Sequence, residues 1–148
     1  MKCTSIVFLF TLTVLATGQA NAQQRGARGR GSQPSAVRIV ASVKQIMQAM
    51  VIPTSDAVFK AAGDAPKDDK GWADLENSAV TLTESGNLLM IGSRVRDSGD
   101  WMKMSPAMVD AAATTLKAIE GKSPAALSAS SDAVYETCET CHGKYLPK

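Results

Sequence analysis

Cys138, Glu139, Thr140, Cys141 and His142 read CETCH, and they place two thiols and the single histidine of a 148-residue chain within five positions. Three kinds of chemistry use such residues. A structural zinc site takes thiolates and imidazoles as ligands, and a redox dithiol cycles through a disulfide. A C-x-x-C-H run is also the signature of two thiols bonded covalently to a haem whose iron the imidazole binds.

The supply of donors and the compartment separate these readings. Lys2 followed by the apolar run IVFLFTLTVLA and by Ala20, Asn21 and Ala22 has the form of a secretory signal over 1–22, with cleavage before Gln23 and export to the periplasm. The apolar run is shorter than the roughly 20 residues of a spanning helix and has no stop-transfer flank, so no stable membrane span is expected in the mature chain. Cys3 precedes the apolar run, where a lipoprotein cysteine would not be, and leaves with the signal. Cys138 and Cys141 are then the remaining cysteines. Structural zinc needs four ligands, so two cysteines and one histidine would have to borrow a carboxylate or a second subunit. A thioredoxin-like dithiol would need a βαβ context and a place at the start of a helix. Haem is the reading that these residues satisfy as they stand.

The segment 23–35 holds Arg25, Arg28 and Arg30 among Gly, Ser, Gln and Pro, and reads as a flexible leader. Three arginines in an exported chain do not argue for nucleic acid as a partner. Without them and Lys2, acidic residues outnumber basic ones, although the whole chain carries +2.

The elements that must position CETCH are helices, and residues 36–148 are long enough for one domain. Ala36, Ile39, Val40, Val43, Ile46, Met47 and Met50 recur at three- and four-residue intervals, which predicts a first amphipathic helix ended by Pro53. TSDAVFKAAG adds a further turn or two. A second helix is predicted over roughly 68–93, with Trp72, Leu75, Ala79, Leu82, Leu89 and Met90 on one period. Gly86 inside it costs about 1 kcal/mol relative to Ala and marks close packing or a bend. The last two helices are each predicted to open on Ser-Pro, at Ser105-Pro106 and Ser123-Pro124, with Gly121 closing the third. The fold expected is all-α, an antiparallel up-and-down four-helix bundle with haem bound near the C-terminal helix.

On that last helix Cys138, Cys141 and His142 share one face with Val134 and Tyr145, and the face is expected to point into the bundle. Two thiols there can add to porphyrin vinyl groups while His142 takes the iron from one side. No second histidine exists to take the other side within this chain. The sixth ligand is then methionine, water or nothing. Outside the signal stand Met47, Met50, Met90, Met102, Met104 and Met108, and Met47 and Met50 lie on the buried stripe of the first helix. A methionine opposite histidine raises the reduction potential and suits electron transfer, whereas an open apolar site suits small neutral gases. Arg38, Arg94 and Arg96 are candidates to pair with haem propionates, and Trp72 and Trp101 to pack on the porphyrin edge.

The C-terminal CETCH followed by Tyr145, the four helical segments and the export signal together resemble class II cytochromes c, the cytochrome c-prime family and its low-spin, methionine-ligated relatives. The blocks VKQIMQAMVIPTSDAVF, ENSAVTLTESGNLLM and DWMKMSPAMVDAA are similar to those of a bacterial periplasmic subgroup, and the resemblance runs from about Ala36 to the end. It implies one covalent haem c held by Cys138 and Cys141, with His142 as proximal ligand and a distal methionine from the first helix. Met47 is the preferred residue and Met50 the alternative. It implies a homodimer and redox proteins as partners, with single-electron transfer as the function. The alternative is a five-coordinate haem protein binding NO or CO. Nothing in the sequence resembles a substrate pocket with an acid/base pair, so no enzyme is expected. N-terminal sequencing of the exported protein is expected to begin at Gln23; a mature chain that retains Met1 would contradict the signal-peptide reading.

Overall fold

The computed structural model describes residues 37–146, which fall within one compact unit, Ala36–Lys148. The expected signal (1–22), leader (23–35) and Ala36 lie outside the described residues. Among the described residues all regular structure is helical. The first helix, α1, is continuous through Val43–Ile46, a π-helical turn at Met47–Val51, and Ile52–Gly63. Asp69–Leu89 forms α2, Trp101–Glu120 forms α3 and Pro124–Tyr145 forms α4, with a short 3-10 turn at Gly92–Arg94 between α2 and α3.

Helix α1 starts later and ends later than its pattern predicts. At Ser42 the backbone is extended, its hydroxyl accepts the Gln45 N–H at 3.3 Å, and the Gln45 side chain accepts the Ser42 N–H at 2.9 Å. This capping box satisfies two otherwise orphaned donors, so the helix begins there and leaves Ile39 and Val40 outside it. Val40 is 81% exposed, while Ile39 packs over Gly92. Gly92 has φ +59°, and a Cβ there would meet the Ile39 side chain at 3.0 Å.

Pro53 does not end α1. A proline inside a helix removes a hydrogen bond and drives its ring into the carbonyl four residues back. Here the preceding turn widens instead: the Ile52 N–H bonds to the Met47 carbonyl, five residues back, and the helix runs on to Gly63. The Thr54 hydroxyl donates to the Met50 carbonyl at 2.6 Å, compensating part of the lost backbone pairing.

The remaining helices follow their caps. Asp68 accepts the Gly71 N–H at 2.7 Å and opens α2 as expected. Helix α2 stops at Leu89, short of the predicted 93, because the chain turns at Gly92 and locks through Arg94. The Arg94 Nε donates to Ala41 O at 2.9 Å and its Nη1 to Leu88 O at 3.2 Å, tying the end of α2 to the approach to α1. Helix α3 begins at Trp101 and not at Ser105-Pro106, because the Asp97 carboxylate accepts the N–H groups of Gly99 at 2.8 Å and Trp101 at 3.1 Å. Pro106 therefore sits inside α3. The left-handed residue after α3 is Lys122, with φ 46°, while Gly121 keeps helical backbone angles. Ser123 caps α4 at the Ala126 N–H, with Pro124 at the first helical position, as predicted.

The four helices close on one another. Helix α3 packs against α2 and α4, and α1 packs against α2 and α4. The interior is mostly apolar, with Val58, Leu82, Ile119, Leu127 and Val134 essentially removed from water and Ser85 and Thr115 buried among them. Gly86 marks close packing of α2 on α3: a Cβ there would lie 2.6 Å from Val109 Cγ2. The overpacking cost outweighs the gain in helix propensity, so Gly86→Ala is expected to destabilise the fold by about 1 kcal/mol or more in urea unfolding. Gly63→Ala, where a Cβ meets nothing, should be neutral or slightly stabilising. Equal effects at the two positions would contradict the packing argument.

Candidate functional site

Helix α4 carries the chemistry on a face whose burial fades toward its C-terminus. Val134 is fully buried, Cys138 and Cys141 are half-buried, and His142 is exposed. The expectation that the whole face points into the bundle holds for Val134, Cys138, Cys141 and Tyr145, the last packed against the core, while His142 is exposed although it lines a cavity between the helices.

Cys138, Cys141, His142 and Thr137 of α4 line one wall of a small cavity of about 30 Å³. The opposite wall comes from the other three helices: Met47 and Val51 of α1, Leu89 of α2, and Met104 and Met108 of α3. Met47 thus shares a cavity with the whole CETCH triad, while Met50 packs against the core without lining that cavity. Met104 and Met108 are additional sulfur-bearing residues that the sequence reading did not single out. Their spacing of four places them on one helix face, a signal masked by starting α3 at Pro106. A wider groove of about 200 Å³, lined by Met104, Ala107, Glu136, Thr137 and Thr140, adjoins the cavity along the seam of α3 and α4.

Both cysteines are free thiols. Burial pushes each above its ordinary pKa, and for Cys141 the neighbouring Cys138 adds to the effect. They also lie in the last turns of α4, far from the helix N-terminus that would favour a thiolate. That is the wrong electrostatic setting for a reactive redox dithiol. Among the described residues no three His, Cys, Asp or Glu side chains are grouped to hold a metal ion together.

The donor set fits a haem better than a bare ion. A haem would take the three α4 residues at different points, the thiols by covalent attachment and the imidazole by ligation, so the donors would not need to converge. The apolar far wall and its methionines suit a porphyrin face. The cavity, at about 30 Å³, is smaller than a haem.

The end of α4 is held by Trp101, 2% exposed at the start of α3. Its Nε1–H donates to Leu89 O at 2.9 Å, and the Tyr145 ring meets it edge-on at 5.0 Å between centroids. The Tyr145 hydroxyl donates to Asp97, and Lys144 pairs with Asp100. Trp72 is a core residue of α2, and neither tryptophan lines the cavity. Of the three candidate arginines, Arg94 is 7% exposed and bonded to carbonyls, whereas Arg38 and Arg96 are exposed.

No family model, no curated protein and no solved structure matches this chain.

The Tyr145–Asp97 contact makes the anchor pH-dependent. The hydrogen bond from Tyr145 holds the Asp97 carboxyl below its ordinary range. Burial and then the bond to Asp97 push Tyr145 up to about 12. A lowered carboxyl contributes stability above its unfolded pKa and loses it as pH falls; a raised phenol contributes below its unfolded pKa and loses it as pH rises toward about 12. Melting temperature should be level between about pH 5 and pH 9 and fall on either side. Tyr145→Phe should soften both falls, and a profile identical to wild type would contradict the role given to this pair.

Proposed function

We propose that this chain is a periplasmic monohaem c-type cytochrome that carries single electrons between redox proteins, of the class II type. One observation carries the reading: Met47 of α1 lines the same cavity as Cys138, Cys141 and His142 of α4. Cys138 and Cys141 are the residues that would hold haem c by thioether bonds, His142 the proximal ligand and Met47 the distal one. Bound haem supplies an iron that cycles between ferric and ferrous states.

The chain's own residues prepare the site for that use. Val51 and Leu89 give the cavity an apolar wall that excludes water and lowers the local dielectric. The thioether of Met47 is a soft neutral donor that favours the ferrous state. Trp101 and Tyr145 fix the last turn of α4, and with it the direction of His142. The short connections 64–68 and 121–123 favour antiparallel neighbours, which would make the bundle up-and-down. Among the described residues no helix is long and apolar enough to cross a membrane. The homodimer implied by the class II resemblance belongs to this reading.

The apolar lining of the cavity also favours a second reading, in which the distal side stays open and receives NO or CO. Absorption spectra of purified holoprotein separate the two. A thioether-to-iron charge-transfer band in the ferric wild type, lost in Met47→Ala and retained in Met50→Ala, is the expected result; a high-spin wild-type spectrum would overturn it in favour of gas binding. Haem colour should stay with the polypeptide through acid-acetone extraction, and a colourless polypeptide from matured periplasmic protein would defeat both readings.

A further inference from the structure

The π-helical turn in α1, Met47–Val51, stands directly before Ile52 and Pro53. In an uninterrupted α-helix residue 53 would donate its N–H to Ala49 O, and proline has no N–H to give. The turn before it is wound five residues deep, from the Ile52 N–H to the Met47 carbonyl, and Thr54 donates its hydroxyl to the Met50 and Val51 carbonyls at 2.6 and 3.2 Å. Pro53 itself is exposed, so its side chain makes no core contact that would explain its presence.

The turn bears on which of two methionines faces the cavity. In a regular α-helix Met47, Met50 and Val51 share one face, because three- and four-residue spacings both return to it. The widened turn needs more residues to come round, which keeps the four-residue pair together and turns the three-residue partner aside. Met47 and Val51 both line the cavity with His142, and Met50 does not. The bulge is bracketed by buried residues, Ile46 at 2% and Val51 at 5% exposure. A π-bulge is rare in helices and recurs at functional sites.

We propose that Pro53 is a positioning residue: by denying Ala49 its α-helical hydrogen bond it holds the π turn that presents Met47, rather than Met50, to the cavity beside His142. This rests on the haem reading above and names the device that chooses its distal ligand. Restoring a donor at residue 53 makes the α pattern available, and removing one residue from a turn rotates the chain on one side of it by about 100° relative to the other. The competent position of Met47 then becomes one of two populated arrangements.

The test compares matured holoprotein of wild type, Pro53→Ala and Thr54→Val, with Met47→Ala as reference. Expected for Pro53→Ala are a weakened thioether-to-iron band and imidazole binding to the ferric protein about tenfold tighter, as the internal ligand loses occupancy. Thr54→Val should move both readouts in the same direction by a smaller amount, and it serves alone if Pro53→Ala does not accumulate. A proline with a purely structural role would alter melting temperature and leave band and imidazole affinity untouched, and that outcome overturns the proposal. If Met47→Ala itself leaves the band unchanged, the ligand assignment is what fails, so the two failures are distinguishable.

Discussion

Trp101 is the residue on which the motif end of the bundle depends. Its backbone N–H is taken by Asp97, its indole N–H closes the last turn of α2 at Leu89, and its ring receives Tyr145 from the last turn of α4. One buried side chain thereby links α2, α3 and α4 within a few residues of His142. A large aromatic contributes through buried area and through a satisfied polar N–H, and here both are present. Leu89, held by that hydrogen bond, is also a wall of the cavity that Met47 and His142 share. Helix α1 reaches the cavity through Met47 and Val51, and farther along it Phe59 meets Tyr135 of α4 edge-on at 6.1 Å.

The site therefore has a firm side and one that carries methionines. The firm side is α4, capped at Ser123 and clamped at Tyr145. The other side carries the long, unbranched side chains Met47, Met104 and Met108. His142 is exposed near the C-terminal end of α4.

Much of this was legible in the residues. The Ser123-Pro124 start of α4 is a local signal that the fold obeys, the α2 stripe from Trp72 to Leu89 is the buried face, and the CETCH spacing sets Cys138, Cys141 and His142 along one cavity. What misled was punctuation. Pro53 and Ser105-Pro106 have the form of a stop and a start, yet both prolines lie inside helices. Helix ends are decided by which orphaned N–H groups find a partner, and the partners were side chains a few residues away: Ser42 with Gln45, and Asp97 with Trp101. Hydrophobic period alone cannot see those bonds, so it extends α1 over Ile39 and Val40 and starts α3 too late to set Met104 and Met108 on one face.

If CETCH anchors haem and Met47 closes the far side of its iron, the metal environment itself must report one sulfur. Iron K-edge X-ray absorption on the ferric holoprotein tests this most directly, since it counts the neighbours of the metal without reference to the fold. The expected result is five nitrogen scatterers and a single sulfur at bonding distance. A first shell of nitrogen and oxygen only would contradict methionine ligation, and a preparation without iron would contradict the reading of the motif from which everything else follows.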